Sequence, residues 1–158
     1  MTAQDLPEHA NDLVLTRLLD ISADRLYRCW TEPALIQQWF APSPWSVSRV
    51  DNDVRPGGHS LIVMRSPEGQ EMPGRGVYLE VIPNRRLVFT DAFTQGWVPA
   101  DKPFMTGIVS FDPEGAQTRY TARVRHWSAA DRAQHEAMGF HTGWGQCTDQ
   151  LAELATRL

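Results

Sequence analysis

The sequence is almost without lysine. Lys102 is the only one among its 15 lysines and arginines, against 19 aspartates and glutamates. The formal net charge of -4 at pH 7 leaves no basic surplus to neutralise phosphates, which argues against nucleic acid or an anionic membrane as partner. The preference for arginine over lysine reads as genomic composition and carries no functional meaning. Cysteine is scarce as well. Cys29 and Cys147 stand far apart and in no metal-ligand spacing. Both fall in helical patterns, which reads as two buried thiols in a reducing compartment. No run approaches the roughly 20 apolar residues of a membrane span, so no integral membrane contact is expected. Residues 1–11 are polar and acidic with no apolar stretch. That excludes an ordinary signal peptide and leaves a flexible N-terminal segment. The expected location is the cytoplasm.

Internal repeats and low-complexity linkers are also missing, so residues 12–158 read as a single domain. Hydrophobic residues make up 42% and charged residues 22% of the 158, an ordinary globular balance. A chain of this length buries roughly two-thirds of its unfolded surface. It therefore needs no disulfide or metal to fold, and no cofactor is implied.

The first strand is expected over 12–20. Ser22 then caps a helix over 23–31, with Asp24 in the first turn where the helix dipole favours it. Pro33 opens a second short helix to Trp39, at a position where its missing N–H costs nothing. Six further strands are expected over 46–54, 59–66, 74–82, 86–93, 106–111 and 118–126. Turns at Arg55-Pro56-Gly57-Gly58, Ser66-Pro67-Glu68-Gly69, Pro83-Asn84 and Asp112-Pro113-Glu114-Gly115 separate them. Such short connections imply antiparallel hairpins. In the last strand Tyr120, Ala122, Val124 and His126 alternate with Arg119, Thr121, Arg123 and Arg125, so the first set points inward. From Ser128, a capping-box residue paired with Asp131, one long helix is expected to the C-terminus. Its stripe runs through Met138, His141, Trp144 or Gly145, Thr148, Leu151 and Ala155. The fold class is α+β: a seven-stranded curved antiparallel sheet whose apolar face closes round that helix.

Four stretches carry a family resemblance. They are Asp20 to Pro42, Asp53-Val-Arg-Pro-Gly-Gly-His59, Gly74 to Pro83 with Arg86-Leu-Val-Phe-Thr90, and Gly143 to Leu151. Together they resemble the heat-shock-protein-90 ATPase activator homologue family of the START-like (SRPBCC) superfamily, over roughly residues 12 to 155. The resemblance implies the helix-grip fold and a cavity between sheet and long helix. In relatives that cavity takes lipids, polyketides, hormones or other aromatic compounds. The co-chaperone relatives carry a separate N-terminal region, whereas about eleven residues precede the first strand here, so a co-chaperone role is not the leading expectation.

The expected function is binding of an apolar or aromatic small molecule or lipid in that cavity. Fold alone does not fix this, and two alternatives stand beside it: an enzyme of polyketide cyclase or hydrolase type, and a chaperone-linked or other protein-interaction module. A homodimer is left open. His126 and His141 are placed at one end of the cavity, where with Tyr78, Tyr120 and Cys147 they would orient a ligand or act as acid and base. The competing reading is that each imidazole simply bonds to backbone. No residue is assigned as catalytic and no metal site is expected. Trp39, Met64, Tyr78, Phe89, Tyr120, Met138 and Trp144 are expected to line the cavity, with Met64, Met105 and Met138 as adaptable fillers. The segment 94–103 is too long for a tight hairpin, and Trp97, Val98 and Phe104 are expected to border the cavity mouth. Pro56-Gly57-Gly58 reads as a turn, since no lysine-bearing phosphate-loop pattern surrounds it.

Overall fold

Among the described residues, 6–158, the computed structural model has four helices and nine strands. In chain order they are β1 (Asp12–Leu19), α1 (Ala23–Thr31), α2 (Pro33–Trp39), β2 (Ser46–Asn52), β3 (His59–Arg65), β4 (Glu71–Ile82) and β5 (Arg86–Thr90). There follow β6 (Phe93–Thr94), β7 (Val98–Pro99), β8 (Thr106–Glu114), β9 (Gln117–Arg125), α3 (Ala129–Ala137) and α4 (Phe140–Thr156). Seven strands form one antiparallel sheet in the order β1-β9-β8-β5-β4-β3-β2. The long loop after β5 adds the two-residue ladder β6–β7.

The β8–β9 hairpin is longer than its turn signal suggests. Glu114 pairs with Gln117, so Gly115 (φ +64) and Ala116 alone close it, and Pro113 lies within the strand opposite Thr118. Proline is tolerated there because β5 has already ended, at the Arg86–Ser110 pair, and no neighbour asks for its N–H.

The alternation along β9 sets the inner face. Tyr120, Ala122, Val124 and His126 are all buried. Their partners Phe111, Val109 and Gly107 on β8, and Arg17, Leu15 and Leu13 on β1, continue that face. Against it pack Leu26, Cys29 and Trp30 from α1, Trp39 from α2, and Leu151, Leu154 and Ala155 from α4. This is the helix-grip arrangement expected from the sequence.

The single C-terminal helix is not continuous. Ser128 caps α3, its hydroxyl accepting from the Asp131 N–H at 3.1 Å. The helix then stops at Gly139, whose φ of +95° lies in the left-handed region. Glycine takes that conformation without Cβ strain and so ends helices. The break re-aims everything near it. Met138 stands 70% exposed at the corner, because it caps α3 instead of continuing the inward stripe. His141 begins α4 on its outer side, with its side chain 61% exposed and its Nε2 3.0 Å from Glu136. Neither faces the interior, contrary to the stripe drawn from residue spacing.

Glu80 on β4 pairs with Arg86 on β5. Both lie on the outer face, 2.7 Å apart, and it is the arginine that is buried while the carboxylate reaches water. Of the expected flexible segment, residues 1–5 lie outside the described residues. Pro7 and Asn11 accept hydrogen bonds from Arg125 and His126.

Candidate functional site

The space between sheet and helices is packed with rings. Trp30 has Trp39, Phe40 and Phe89 as neighbours, with centroids 4.9, 5.8 and 5.7 Å away. Phe89 lies over Gly107, where a Cβ would come 2.4 Å from the ring. The polar atoms among these rings are bonded to one another. Trp30 Nε1 donates to the Tyr120 hydroxyl at 3.1 Å, Trp39 Nε1 to the Cys29 carbonyl at 2.8 Å, and Asn52 Nδ2 to the Tyr78 hydroxyl at 3.2 Å. Burial raises the hydroxyl pKa of both tyrosines. It also pushes the thiols of Cys29 and Cys147 up to about 11.

A different chemistry sits at the end of the sheet where β9 runs into α3. His126 is 4% and His135 9% exposed. His126 Nε2 lies 2.9 Å from His135 Nδ1, and His126 Nδ1 lies 2.8 Å from the Asn11 carbonyl. A carbonyl only accepts, so Nδ1 of His126 carries a proton. In the neutral pair, Nε2 of His126 therefore accepts from Nδ1–H of His135. That order leaves Nε2 of His135 with a lone pair and no hydrogen-bond partner among the described residues. Burial, and then the neighbouring His126, lowers the His135 pKa to about 4. Phe104 stacks against both imidazoles at 5.8 and 4.8 Å, and Phe140 against His135 at 5.2 Å. Phe140 in turn meets Trp144 at 5.4 Å.

Trp144 is half-buried and touches both apolar clusters of the protein, the large one and the smaller set of Leu13, Val124 and Phe140 with Met105 beside it. A groove of about 360 Å³ opens against this end, lined by His9, Thr106, Arg125, His126 and Trp127. On α4, a Cβ at Gly143 would meet nothing within 4 Å, whereas at Gly145 it would come 3.3 Å from the Arg17 guanidinium. The glycines of this helix thus do two things: Gly145 allows close approach of sheet and helix, and Gly143 stands beside open space.

The residues singled out from the sequence therefore divide. Trp39, Tyr78, Phe89 and Tyr120 belong to the packed interior. Phe104, His126 and Trp144 meet at the imidazole end. Met64 is half-buried on the inner face of β3, opposite Val47 and Met72. Met138 and His141 point to solvent. Trp97 is 55% exposed at the β6–β7 tip, with its ring against Phe93 and over Gly57, and Val98 beside it is equally open.

His135 and Phe140 were not found from the sequence, whereas Met105, read as a pocket filler, packs beside Phe140. The signal for His135 was present. It lies seven residues after the Ser128 cap and one turn before the glycine that ends that helix. Among the described residues no group of three or more histidines, cysteines and carboxylates is placed to hold a metal.

The sequence pattern described as "Activator of Hsp90 ATPase homolog 1-like protein" matches residues 20–156. The crystal structure of a Nitrosomonas europaea protein is 41% identical, with a TM-score of 0.91, over 95% of this chain and 97% of that one. A Chromobacterium violaceum protein is 26% identical, TM-score 0.75, over 93% and 98%. A Mycobacterium smegmatis protein at 24% identity, TM-score 0.76, over 90% and 89%, shares the fold. No curated protein matches the sequence. The chain belongs to the Activator of Hsp90 ATPase homolog 1-like protein family.

Proposed function

We propose that the protein binds an apolar or aromatic small molecule between the sheet and the C-terminal helices. In this reading the ligand enters from the groove beside His126 and Trp127. Phe104, Met105, Phe140 and Trp144, which pack on their neighbours in this structure, part to hold its body, and Nε2 of His135 accepts one hydrogen bond from a hydroxyl or N–H on it. The observation that carries the proposal is the buried imidazole pair beside Phe104 and Phe140, whose outer nitrogen, Nε2 of His135, has no partner among the described residues and reaches solvent. Sites of this kind take their affinity from apolar burial and their selectivity from one or two polar groups. Covering ~150 Å² of ring surface contributes roughly 4 kcal/mol before the cost of immobilising the ligand.

The protonation states favour binding over catalysis. An efficient general acid or base has a pKa near the working pH. His135 stays neutral down to about pH 4, and the tyrosine hydroxyls and thiols of the interior are all moved away from neutrality. A cytoplasmic site of action belongs to the same proposal and is supported by the two free thiols. No helix among the described residues is long and apolar enough to cross a membrane.

The test is a fluorescence titration with 1-naphthol and 1-methoxynaphthalene. Both are expected to quench tryptophan saturably. Naphthol, which can donate to His135, binds about fivefold tighter, the net worth of one hydrogen bond. His135→Phe abolishes that preference while binding of the ether persists. Absence of saturable binding by any aromatic probe would sink the proposal.

A further inference from the structure

The convex face of the sheet carries a second groove, of about 450 Å³, which the ring-lined end does not explain. Its walls are β2, β3 and β4 on one side and the β6–β7 hairpin on the other. Asp51 faces Leu61, and Leu61 faces Arg75, in one row across three strands. Arg49 and His59, each two residues along its strand from a member of that row, share its face.

Charge in this groove is unbalanced. His59 Nε2 lies 3.0 Å from Asp51 Oδ1, so the carboxylate is already bonded. Arg49 comes no nearer to Asp51 than 3.8 Å, outside hydrogen-bond reach. Arg75 makes no hydrogen bond or ion pair among the described residues. Two guanidiniums therefore border the groove without a hydrogen bond, Arg49 in a loose ion pair with Asp51 and Arg75 with no partner among the described residues, in a chain whose net charge is -4. The floor is the buried side chain of Leu61 and the bare backbone of Gly76. A Cβ on Gly76 would fall 2.3 Å from the Thr90 carbonyl oxygen, so packing demands glycine here. Gln95, from the hairpin, adds an amide on the far wall.

We propose that this groove binds a phosphomonoester. Arg49 and Arg75 would each engage its terminal oxygens, and the organic part would rest on Leu61 and reach Gln95. One guanidinium fork satisfies both oxygens of a carboxylate, whereas two forks need the three terminal oxygens and double charge of a phosphomonoester. The site is independent of the aromatic end and does not rest on the ligand proposed there.

The experiment is a titration of the ¹⁵N-labelled chain with glycerol 3-phosphate, with sodium chloride at matched ionic strength as control. A parallel sedimentation assay uses phosphatidylcholine vesicles with and without phosphatidic acid. Saturable shifts of the Leu61, Gly76 and Gln95 amides are expected, with a Kd of about 1 mM or below. Arg75→Ala weakens binding about tenfold or more, as loss of a charge-assisted bond should, and Arg75→Lys restores part of it. Both changes are at an exposed position and leave the fold intact. Binding to phosphatidic acid vesicles alone, lost in Arg75→Ala, supports the same site with a lipid headgroup as the source. The proposal is overturned if neither probe binds saturably, if chloride reproduces the shifts, or if Arg49→Ala and Arg75→Ala leave binding unchanged.

Discussion

His135 donates from Nδ1 to Nε2 of His126 across 2.9 Å, and both rings are buried beneath Phe104. This pair sets a pH dependence. The His135 pKa falls from 6.5 to about 4 on folding. Between those values the unfolded chain binds a proton that the folded chain does not, so stability rises with pH. The contribution of His135 is complete above about pH 6.5, is lost progressively as pH falls toward 4, and is flat below that. Its size is about 3 kcal/mol. Urea denaturation at stepped pH should show this slope, and His135→Phe should flatten it. An unchanged slope in that variant would remove His135 as its source.

His126→Ala deletes a ring that two groups depend on. The Nδ1–H of His135 loses its acceptor, and a cavity opens under Phe104. A loss of about 2–4 kcal/mol follows from an orphaned buried donor plus the lost packing. His141→Ala, at an exposed position whose partner is a surface glutamate, should stay within about 0.5 kcal/mol. Chemical denaturation of the two variants side by side checks both figures. Equal costs would mean that the pair is not the structural unit described here.

The sequence made the sheet legible because its evidence is local. Alternation along Tyr120–His126, and turns such as Pro83-Asn84 (Asn84 φ +61) and Ser66–Gly69 (Gly69 φ +91), act within a few residues. The same patterns placed His126 inward correctly. The site was legible only in half. A stripe drawn through Met138, His141 and Trp144 assumes an unbroken helix, and one residue with positive φ, Gly139, rotates the two segments apart. That rotation exchanges His141 for His135 as partner of His126. The position of Trp97 was likewise not readable, because contact between a loop tip and the β2–β3 turn is tertiary.

Two glycines at the start of α4 should respond in opposite directions. Gly139→Ala forces a side chain into φ +95° and should cost about 1–2 kcal/mol. Gly143→Ala places a methyl where nothing lies within 4 Å, inside a helix where alanine is favoured by roughly 1 kcal/mol, so it should raise Tm. Thermal melts monitored by circular dichroism distinguish the cases. If Gly139→Ala proved neutral, the break between α3 and α4 would not be held by that residue's conformation.

The two thiols give a last prediction that ties stability to the proposed ligand end. Both are pushed up to about 11 by burial. At pH 8 about one thiol in a thousand is then ionised, against roughly one in four for an unperturbed cysteine. Ellman's reagent should therefore react with the folded protein at least about a hundredfold more slowly than with the denatured chain. The two residues should also separate. Cys29 is fully buried in α1, in the same core as Trp30 and Trp39, so its modification requires global unfolding. Cys147 is half-buried one turn beyond Trp144 on α4, with its Sγ 3.6 Å from the Phe40 carbonyl. It can react through local opening of the first turns of that helix, which has lower free energy than unfolding the whole. Cys147 should accordingly be labelled first, and 1-naphthol bound beside Trp144 should slow it while leaving Cys29 unaffected. Equal protection of both thiols by naphthol would point to global stabilisation, and no protection of either would place the aromatic ligand elsewhere.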